Sequence, residues 1–420
     1  MEKHVVVGMR EHWGQNLPFF LSHDDRRQHL YAIGKSGTGK TTLLRNFILQ
    51  DIEAGRGIGV IDPHGDLATE LLDCIPRHRI EETTYFNPAD VEFPIGLNPL
   101  KATIGNRHLV ASGVVEVFRG IWGEFFGPRM EYILYAAVAA LLECENVSLL
   151  GLQRMMSDAR YRAWVVRQVK DPSVRSFWVN EFEHYGERFL HEAVAPIQNK
   201  VGQLLMSPHL RNILGQVRGR IDARFMMDTG RIFIADVSKG KLGADKSGLV
   251  GAFLVTQFAL AAMSRADVAE SGRRDFILYV DEFGSFATDS FVSILSEARK
   301  YRLSLTLSHQ FIEQLKPEIR KAVFGNVGSL VSFRVGQGDA ETLEREFGTA
   351  FPASRFTRLD NYEVCAKLLN EGKWSEPFLG KTFAPFGERR GHGETIIRRS
   401  REKHARPRQT VEDKIRRWLA

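Results

Sequence analysis

"YAIGKSGTGKTTL" (residues 31–43) decides the reading of this chain. Its spacing is G-x-x-x-x-G-K-T, and glycines at 34, 37 and 39 let consecutive backbone N–H groups turn toward an anion that a side chain would crowd. Gly34, Lys35, Ser36, Gly37, Thr38, Gly39, Lys40, Thr41 and Thr42 together form a cradle for the phosphates of a nucleotide. Lys40 would lie against the β- and γ-phosphates, and the Thr41 hydroxyl would ligate Mg²⁺. A helix starting there points its positive dipole end at the same anion.

The flanks agree with that loop. "HLYAI" before it reads as a short buried strand, and "TTLLRNFILQDIEAG" after it places Leu43, Leu44, Phe47, Ile48 and Ile52 on one helical face, ending at Gly55. "GIGVIDPHGDL" gives a second strand ending at Asp62, broken by Pro63 and Gly65. Further apolar runs are "RIFIAD" (231–236), "DFILYVDEF" (275–283), "LSLTLSHQ" (303–310) and "SLVSFRV" (329–335), separated by helical patterns at 247–265, 289–301 and 311–324. Continuous apolar strands alternating with helices predict an α/β fold with a central, mostly parallel sheet covered on both faces.

Between about 103 and 216 the strand signal stops and helical periodicity takes over, as in "RMEYILYAAVAALLE", "SLLGLQRMMSD", "DARYRAWVVRQV" and "HEAVAPIQNKVGQLL". The expected organisation is therefore 1–102 and 217–345 as two parts of one α/β domain, an all-α insertion at 103–216, and a C-terminal extension at 346–420. The insertion explains why Asp281, the best partner for the loop, lies 241 positions beyond Lys40.

"FILYVDEF" ends in two carboxylates. Asp281 is suited to a Mg²⁺ shell, directly or through water, and Glu282 to orienting and deprotonating an attacking water. Gln310, at the carboxyl end of the next strand, is suited to sensing the γ-phosphate or that water. In "SFVSILSEARKY" the buried face is Phe291, Ile294, Leu295, Ala298 and Tyr301, which leaves Arg299 pointing elsewhere. It is the first candidate for an arginine delivered to a neighbouring subunit's γ-phosphate, with Arg334 second.

Composition sets bounds. At 43% apolar and 26% charged the chain is ordinary globular protein. Cys74, Cys144 and Cys365 are too few and too scattered for a disulfide framework or a zinc cluster. No apolar run reaches a membrane span's length, "YILYAAVAALL" (132–142) stopping short, so a soluble cytoplasmic protein is expected. The net charge is +6, and from Gly387 to Ala420 there are eleven Lys/Arg against five Asp/Glu, so the whole excess lies in the tail. "VSKGKLGADKSG" (237–248) reads as a loop presenting Lys239, Lys241 and Lys246. "TVEDKIRRWL" reads as a tail helix with a capping box at Thr410 and Asp413, docked through Val411, Ile415, Trp418 and Leu419 on its own or a neighbouring subunit.

The loop, "VIDPHGDL", "IGLNPL", "PIQNKVGQLL", "FILYVDEF", "ILSEARKYRLSLTLSHQ" and "GNVGSLVSFRVGQGDAETLEREF" together resemble the HerA/FtsK superfamily, nearest the coupling-protein ATPases of type IV secretion and conjugative DNA transfer. The resemblance spans about residues 5–420. It implies a RecA-like P-loop NTPase motor with an inserted all-α domain, ATP and Mg²⁺ as cofactors, and a homo-hexameric ring around DNA. By the same resemblance Lys40 and Thr41 are phosphate and Mg²⁺ ligands, Asp281 and Glu282 the Walker B pair, Gln310 the sensor and Arg299 the arginine finger. Asp62 and Asp66 match the second-strand acidic motif. Implied partners are a relaxosome, a secretion channel or a nuclease. Coupling proteins commonly carry a membrane anchor; none is read here, so the expectation stays cytoplasmic, with peripheral placement at the inner membrane only through partners. Two other readings share the motifs: a secretion ATPase driving protein export or pilus assembly, and a HerA-type scaffold partnered with an effector.

Overall fold

The apolar runs form strands, and the computed structural model, which describes residues 4–102, 104–123 and 126–419, sets them side by side. In chain order the strands are β1 (His4–His12), β2 (Gln15–Ser22), β3 (Leu30–Ile33), β4 (Gly57–Asp62), β5 (Thr83–Phe86), β6 (Ile232–Asp236), β7 (Phe276–Val280), β8 (Leu303–His309), β9 (Ser329–Ser332), β10 (Glu363–Lys367), β11 (Leu369–Asn370), β12 (Lys373–Trp374) and β13 (Phe378–Thr382). Apart from the small β11–β12 pair they make one eleven-stranded sheet in the order β2-β1-β13-β10-β9-β3-β8-β7-β4-β6-β5. From β9 to β5 every pairing is parallel. The four strands from β2 to β10 join antiparallel, so the sheet is mixed but mostly parallel, in keeping with the expected fold.

The added strands have local causes. β1 and β2 turn on Trp13 and Gly14, whose φ values of 53° and 76° are both positive, as a two-residue hairpin turn requires. β2 forms one outer edge and carries Pro18 opposite Met9. β5 is only "TTYF" and is the last strand of the sheet beyond β6, yet all four residues are buried.

The chain divides into two compact units: one of Met1–Phe86, Ala223–Ser238 and Ala261–Arg399, the other of Asn87–Asp222, Lys239–Leu260 and Ser400–Ala420. In the first, alternate residues of each central strand face opposite layers. Leu30 and Ala32 of β3 join one core with the Lys40–Glu53 and Asp66–Cys74 helices, whereas Tyr31 stands edge-on to Phe283 and Phe324 on the other face. The Lys40–Glu53 helix buries Leu43, Leu44, Phe47, Ile48 and Ile52 and stops where Gly55 takes φ 74°. Truncating Phe47 to alanine would cost roughly 3–5 kcal/mol. Behind that helix Arg26 donates a two-pronged pair of hydrogen bonds to Asp51 (2.8 and 2.9 Å), and the Tyr279 hydroxyl of β7 donates to the same carboxylate. A buried ionic knot thus ties the first long helix to the strand that leads to Asp281.

Among the described residues the named elements of the second unit are helices, with one isolated antiparallel bridge between Ile95 and Ala405. Its main helices are Arg107–Trp122, Pro128–Leu142, Leu150–Ser157, Ala159–Gln168, Glu187–Met206 and Pro208–Leu214. Asp158 caps one of them by accepting from the N–H groups of Arg160 and Tyr161. Three sequence expectations change here. Lys239 and Lys241 lie in a helical turn, Lys239–Leu242, and Lys246 lies inside the Ala244–Ser264 helix, so 237–248 is not an open loop. The tail helix runs Arg408–Leu419, starting before Thr410, so Thr410 is not its cap. It packs within its own unit through buried Val411 and Ile415, with Trp418 edge-on to Tyr161. Among the described residues the stretch Ala244–Asp267, and not 132–142, is the one helix long and apolar enough to cross a membrane; 72% of its most apolar window is buried inside the molecule. All three cysteines are buried and free.

His29 shows how tightly the strand ends are set. Leu305 N–H donates to its Nδ1 (3.0 Å), which leaves Nε2 to carry the proton and donate to the Leu295 carbonyl (3.0 Å). Burial, with a smaller push from Arg299, lowers this imidazole from 6.5 to about 4. Protonation would set two N–H groups against each other. The neutral ring therefore supports the fold fully above pH 6.5, and that support is lost as pH falls through about 4. Urea unfolding of the parent should lose up to about 3 kcal/mol more than His29→Gln across this window; parallel pH profiles for the two would refute it.

Candidate functional site

Parallel register brings three strand ends to one edge. Ile33 of β3 pairs with His309 of β8, and Val280 of β7 with Leu307 of β8, so Gly34, Asp281 and Gln310 emerge together. The Gly34 N–H donates to the His309 carbonyl (3.2 Å), and the Asp281 N–H to the Ile61 carbonyl (3.1 Å).

The loop from Gly34 to Gly39 depends on its glycines. Gly37 has φ 75° and Gly39 φ 120°, conformations an L side chain rarely adopts. A Cβ on Gly39 would also lie 3.0 Å from Tyr362 Cδ1 and 3.1 Å from Phe333 Cε1. Buried Thr38 closes the turn by donating its hydroxyl to the Lys35 carbonyl (2.7 Å). Lys35, Ser36, Gly37 and Thr41 face solvent, and Thr42 is half-buried. Lys40 is buried, with Nζ donating to the carbonyls of Gly34 (2.6 Å) and Lys35 (3.1 Å). Burial pulls its pKa below the usual lysine value, and the nearby charges of Glu282 and Asp281 resist that pull.

Asp281 is almost wholly buried, accepting from the Ser308 hydroxyl and from the Glu282 N–H (3.0 Å). Glu282 occupies the left-handed region (φ 45°, ψ 48°), rare for glutamate, and this turns its half-buried carboxylate back toward the loop. Burial and then the Asp281 charge raise its pKa above 4.5, while Lys40, a hydrogen bond from Gln310, and His64 work in the opposite direction. Lys40, Asp281, Glu282 and Gln310 thus meet around one spot at the loop, although 241 positions separate the first two.

The other candidates fall elsewhere. Asp62 is fully buried and accepts from the N–H groups of His64 (2.8 Å) and Ala68 (2.9 Å), so its carboxylate folds the turn and caps the Asp66–Cys74 helix. Asp66 is exposed in that helix's first turn. Arg299 is exposed in the turn that enters β8, which is the opposite edge of the sheet from Lys40, so it does not join this chain's own cluster. Arg334 does lie by the loop: its carbonyl accepts from Lys35 N–H (2.8 Å), and its guanidinium donates to the Leu359 carbonyl and the Asn361 side chain (both 3.2 Å).

Sequence reasoning missed Ser308, His64 and Tyr362. Ser308 had a signal: "LSLTLSH" alternates hydroxyls along a strand buried on both faces, which requires partners for each of them. Tyr362 had none, since its contact with Gly39 spans over 300 positions.

Chemically, the arrangement offers a collar of backbone N–H groups, one buried cation, and two carboxylates of unlike environment. Among the described residues no group of three or more His, Cys, Asp or Glu could hold a metal ion. An Mg²⁺ ion held by one hydroxyl, phosphate oxygens and water needs no such group.

No family model matches the sequence, and neither does any curated protein. Solved structures do match. The plasmid coupling protein TrwB in complex with the non-hydrolysable ATP analogue ADPNP is similar at 15% identity over 93% of this chain and 91% of that one, with a TM-score of 0.65. TrwB in complex with ADP and Mg²⁺ gives 15% identity, 94% and 92% coverage and a TM-score of 0.64. VirB4 of Thermoanaerobacter pseudethanolicus gives 14% identity, 90% and 96% coverage and a TM-score of 0.58. The chain has the mixed α/β, mostly parallel-sheet fold of TrwB, the RecA-like P-loop NTPase fold.

Proposed function

We propose that this chain is an ATP-hydrolysing motor that translocates DNA as a homo-hexameric ring, of the conjugative coupling type. The observation that carries the reading is the meeting of Lys40, Asp281, Glu282 and Gln310 at the glycine loop. TrwB, whose fold this chain shares, binds ADPNP, ADP with Mg²⁺, and the GTP analogue GDPNP, which supports nucleotide and Mg²⁺ as ligands here.

The loop amides and Lys40 would hold the β- and γ-phosphates. Thr41 and Asp281 would hold Mg²⁺, which when bound neutralises charge on the phosphate oxygens. Glu282, whose carboxylate is raised by burial and by Asp281, takes a proton from the attacking water more readily than an exposed glutamate would. Gln310, hydrogen-bonded to Glu282, orients that water and senses the γ-phosphate. Arg299, exposed on the far edge, is free to serve a neighbour's site, as a ring would require.

The likeness to VirB4 supports a second reading, a secretion ATPase that moves protein and no DNA. Turnover with and without single- and double-stranded DNA separates the two. A motor that works on DNA is stimulated, and added salt weakens the effect; DNA-independent turnover would end this proposal.

Glu282→Gln should lower turnover by about 10²–10⁴-fold while a fluorescent nucleotide still binds. Because the Glu282 carboxyl sits above 4.5, the parent's acid limb should lie above that pH; an unchanged rate in the variant removes Glu282 from the mechanism. Gly39→Ala should weaken nucleotide binding by about 5- to 150-fold, the cost of roughly 1–3 kcal/mol of backbone strain, read by titration calorimetry. Arg299→Ala should lose about 10³-fold in turnover. Mixing it with Lys40→Ala subunits, inactive themselves but still carrying Arg299, should restore turnover at the mixed interfaces; no recovery would exclude action across an interface.

A further inference from the structure

The helical unit holds a cavity of about 500 Å³ between the tail helix and the segment after Pro208–Leu214. Four cations line it, Arg218, Arg220, Arg406 and Lys414, and no carboxylate does. None of the four side chains makes an ion pair or a side-chain hydrogen bond among the described residues. The carboxylates of the tail helix are already engaged: Glu412 accepts from Arg408 (2.8 Å) and Asn212 (3.2 Å), and Asp413 from Gln409 (3.1 Å). The floor is apolar, with Ile415 and Trp418.

The framework that holds these cations is rigid on both sides. Arg220 N–H donates to the Gly96 carbonyl (2.9 Å), and Asn98 Nδ2 donates to the carbonyls of Val217 (2.7 Å) and Val147 (2.9 Å). A Cβ on Gly96 would lie 2.9 Å from the Arg218 carbonyl oxygen, and one on Gly219 would lie 3.1 Å from the Asn98 nitrogen, so both glycines are needed for the two segments to touch. "IGLNPL" thus works as the clamp for a cation-bearing strip. On the other side Arg154 donates to the Trp418 carbonyl (2.8 Å) with its guanidinium over the Trp418 ring (4.9 Å), and Arg408 N–H donates to the Glu92 carbonyl (2.9 Å). Unneutralised cations fixed by backbone contacts, and not by each other's counter-ions, are arranged for an anion from outside.

We propose that this cavity binds the phosphodiester backbone of a single-stranded nucleic acid, with one base or sugar against Ile415 and Trp418. The cavity is larger than a lone phosphate needs, its apolar floor suits a nucleotide's non-charged part, and exposed Arg416 and Arg417 continue the positive surface along the tail helix. The site lies outside the loop cluster and rests on the DNA-motor reading only for the identity of the polymer.

The test uses the full chain without nucleotide, and fluorescence anisotropy of a labelled oligothymidine about 30 nucleotides long, at salt from about 50 to 200 mM. The pairs Arg218→Gln with Arg220→Gln, and Arg406→Gln with Lys414→Gln, should each weaken binding by about tenfold and lower the log–log salt slope by about 1.4. The fourfold variant should lose both contributions, with circular dichroism and fluorescent-nucleotide binding matching the parent. Unchanged affinity and slope in a folded fourfold variant would overturn the assignment while leaving DNA-stimulated turnover to stand or fall separately. Pocket-dependent binding of polyglutamate in preference to the oligonucleotide would also overturn it. DNA-independent turnover together with pocket-dependent oligonucleotide binding would sink the motor reading and leave this site intact.

Discussion

Parallel pairing of β3 with β8, and of β8 with β7, is the constraint on which the site depends. With Ile33 level with His309 and Val280 level with Leu307, the first residues past each strand share one edge. A slip of one residue would turn each strand's inward set outward and carry Gln310 away from the loop. The register also sets the electrostatics. A buried ammonium at Lys40 is costly alone, and the carboxylates of Glu282 and Asp281 that offset the cost arrive only because their strand ends at the same edge as β3.

The same pairing shows why a helical unit of more than a hundred residues fits between the loop and its acidic partner. A strand's neighbours are fixed by backbone hydrogen bonds and by the burial of both faces, so chain separation matters little once the ends meet. Arg26, Asp51 and Tyr279 add a second tie at the other end of the first long helix. The helix is therefore held at its loop end by Lys40's neighbours and at its far end by a buried ion pair, and β7 takes part in both.

Much of this was legible before any coordinates. The glycine loop and the pair Asp281–Glu282 are local patterns with one chemical reading, and the strands that carry them are continuous apolar runs. β5 was not, because four residues between polar neighbours give no periodicity. β1, β2, β10 and β13 were not, because their exposed faces and charged ends dilute the apolar signal. Lys239, Lys241 and Lys246 between glycines suggest an open loop, but the segment folds into helix, so glycine content alone misled. Asp62 has no role legible from its place at a strand end; in the fold both its oxygens accept backbone N–H groups. Nothing local could show that Glu282 would take a left-handed conformation, or that Tyr362 would close over Gly39, since those depend on partners far along the chain.

A broad sheet with an open rim is a template for unwanted pairing, and the outer strand β2 has an answer to that hazard at Pro18. Proline offers no N–H, so at that point the rim presents a gap where an incoming chain would seek a donor. At the opposite rim β5 is buried along its whole length. Both borders of the sheet are thus poor seeds for fibrous self-association.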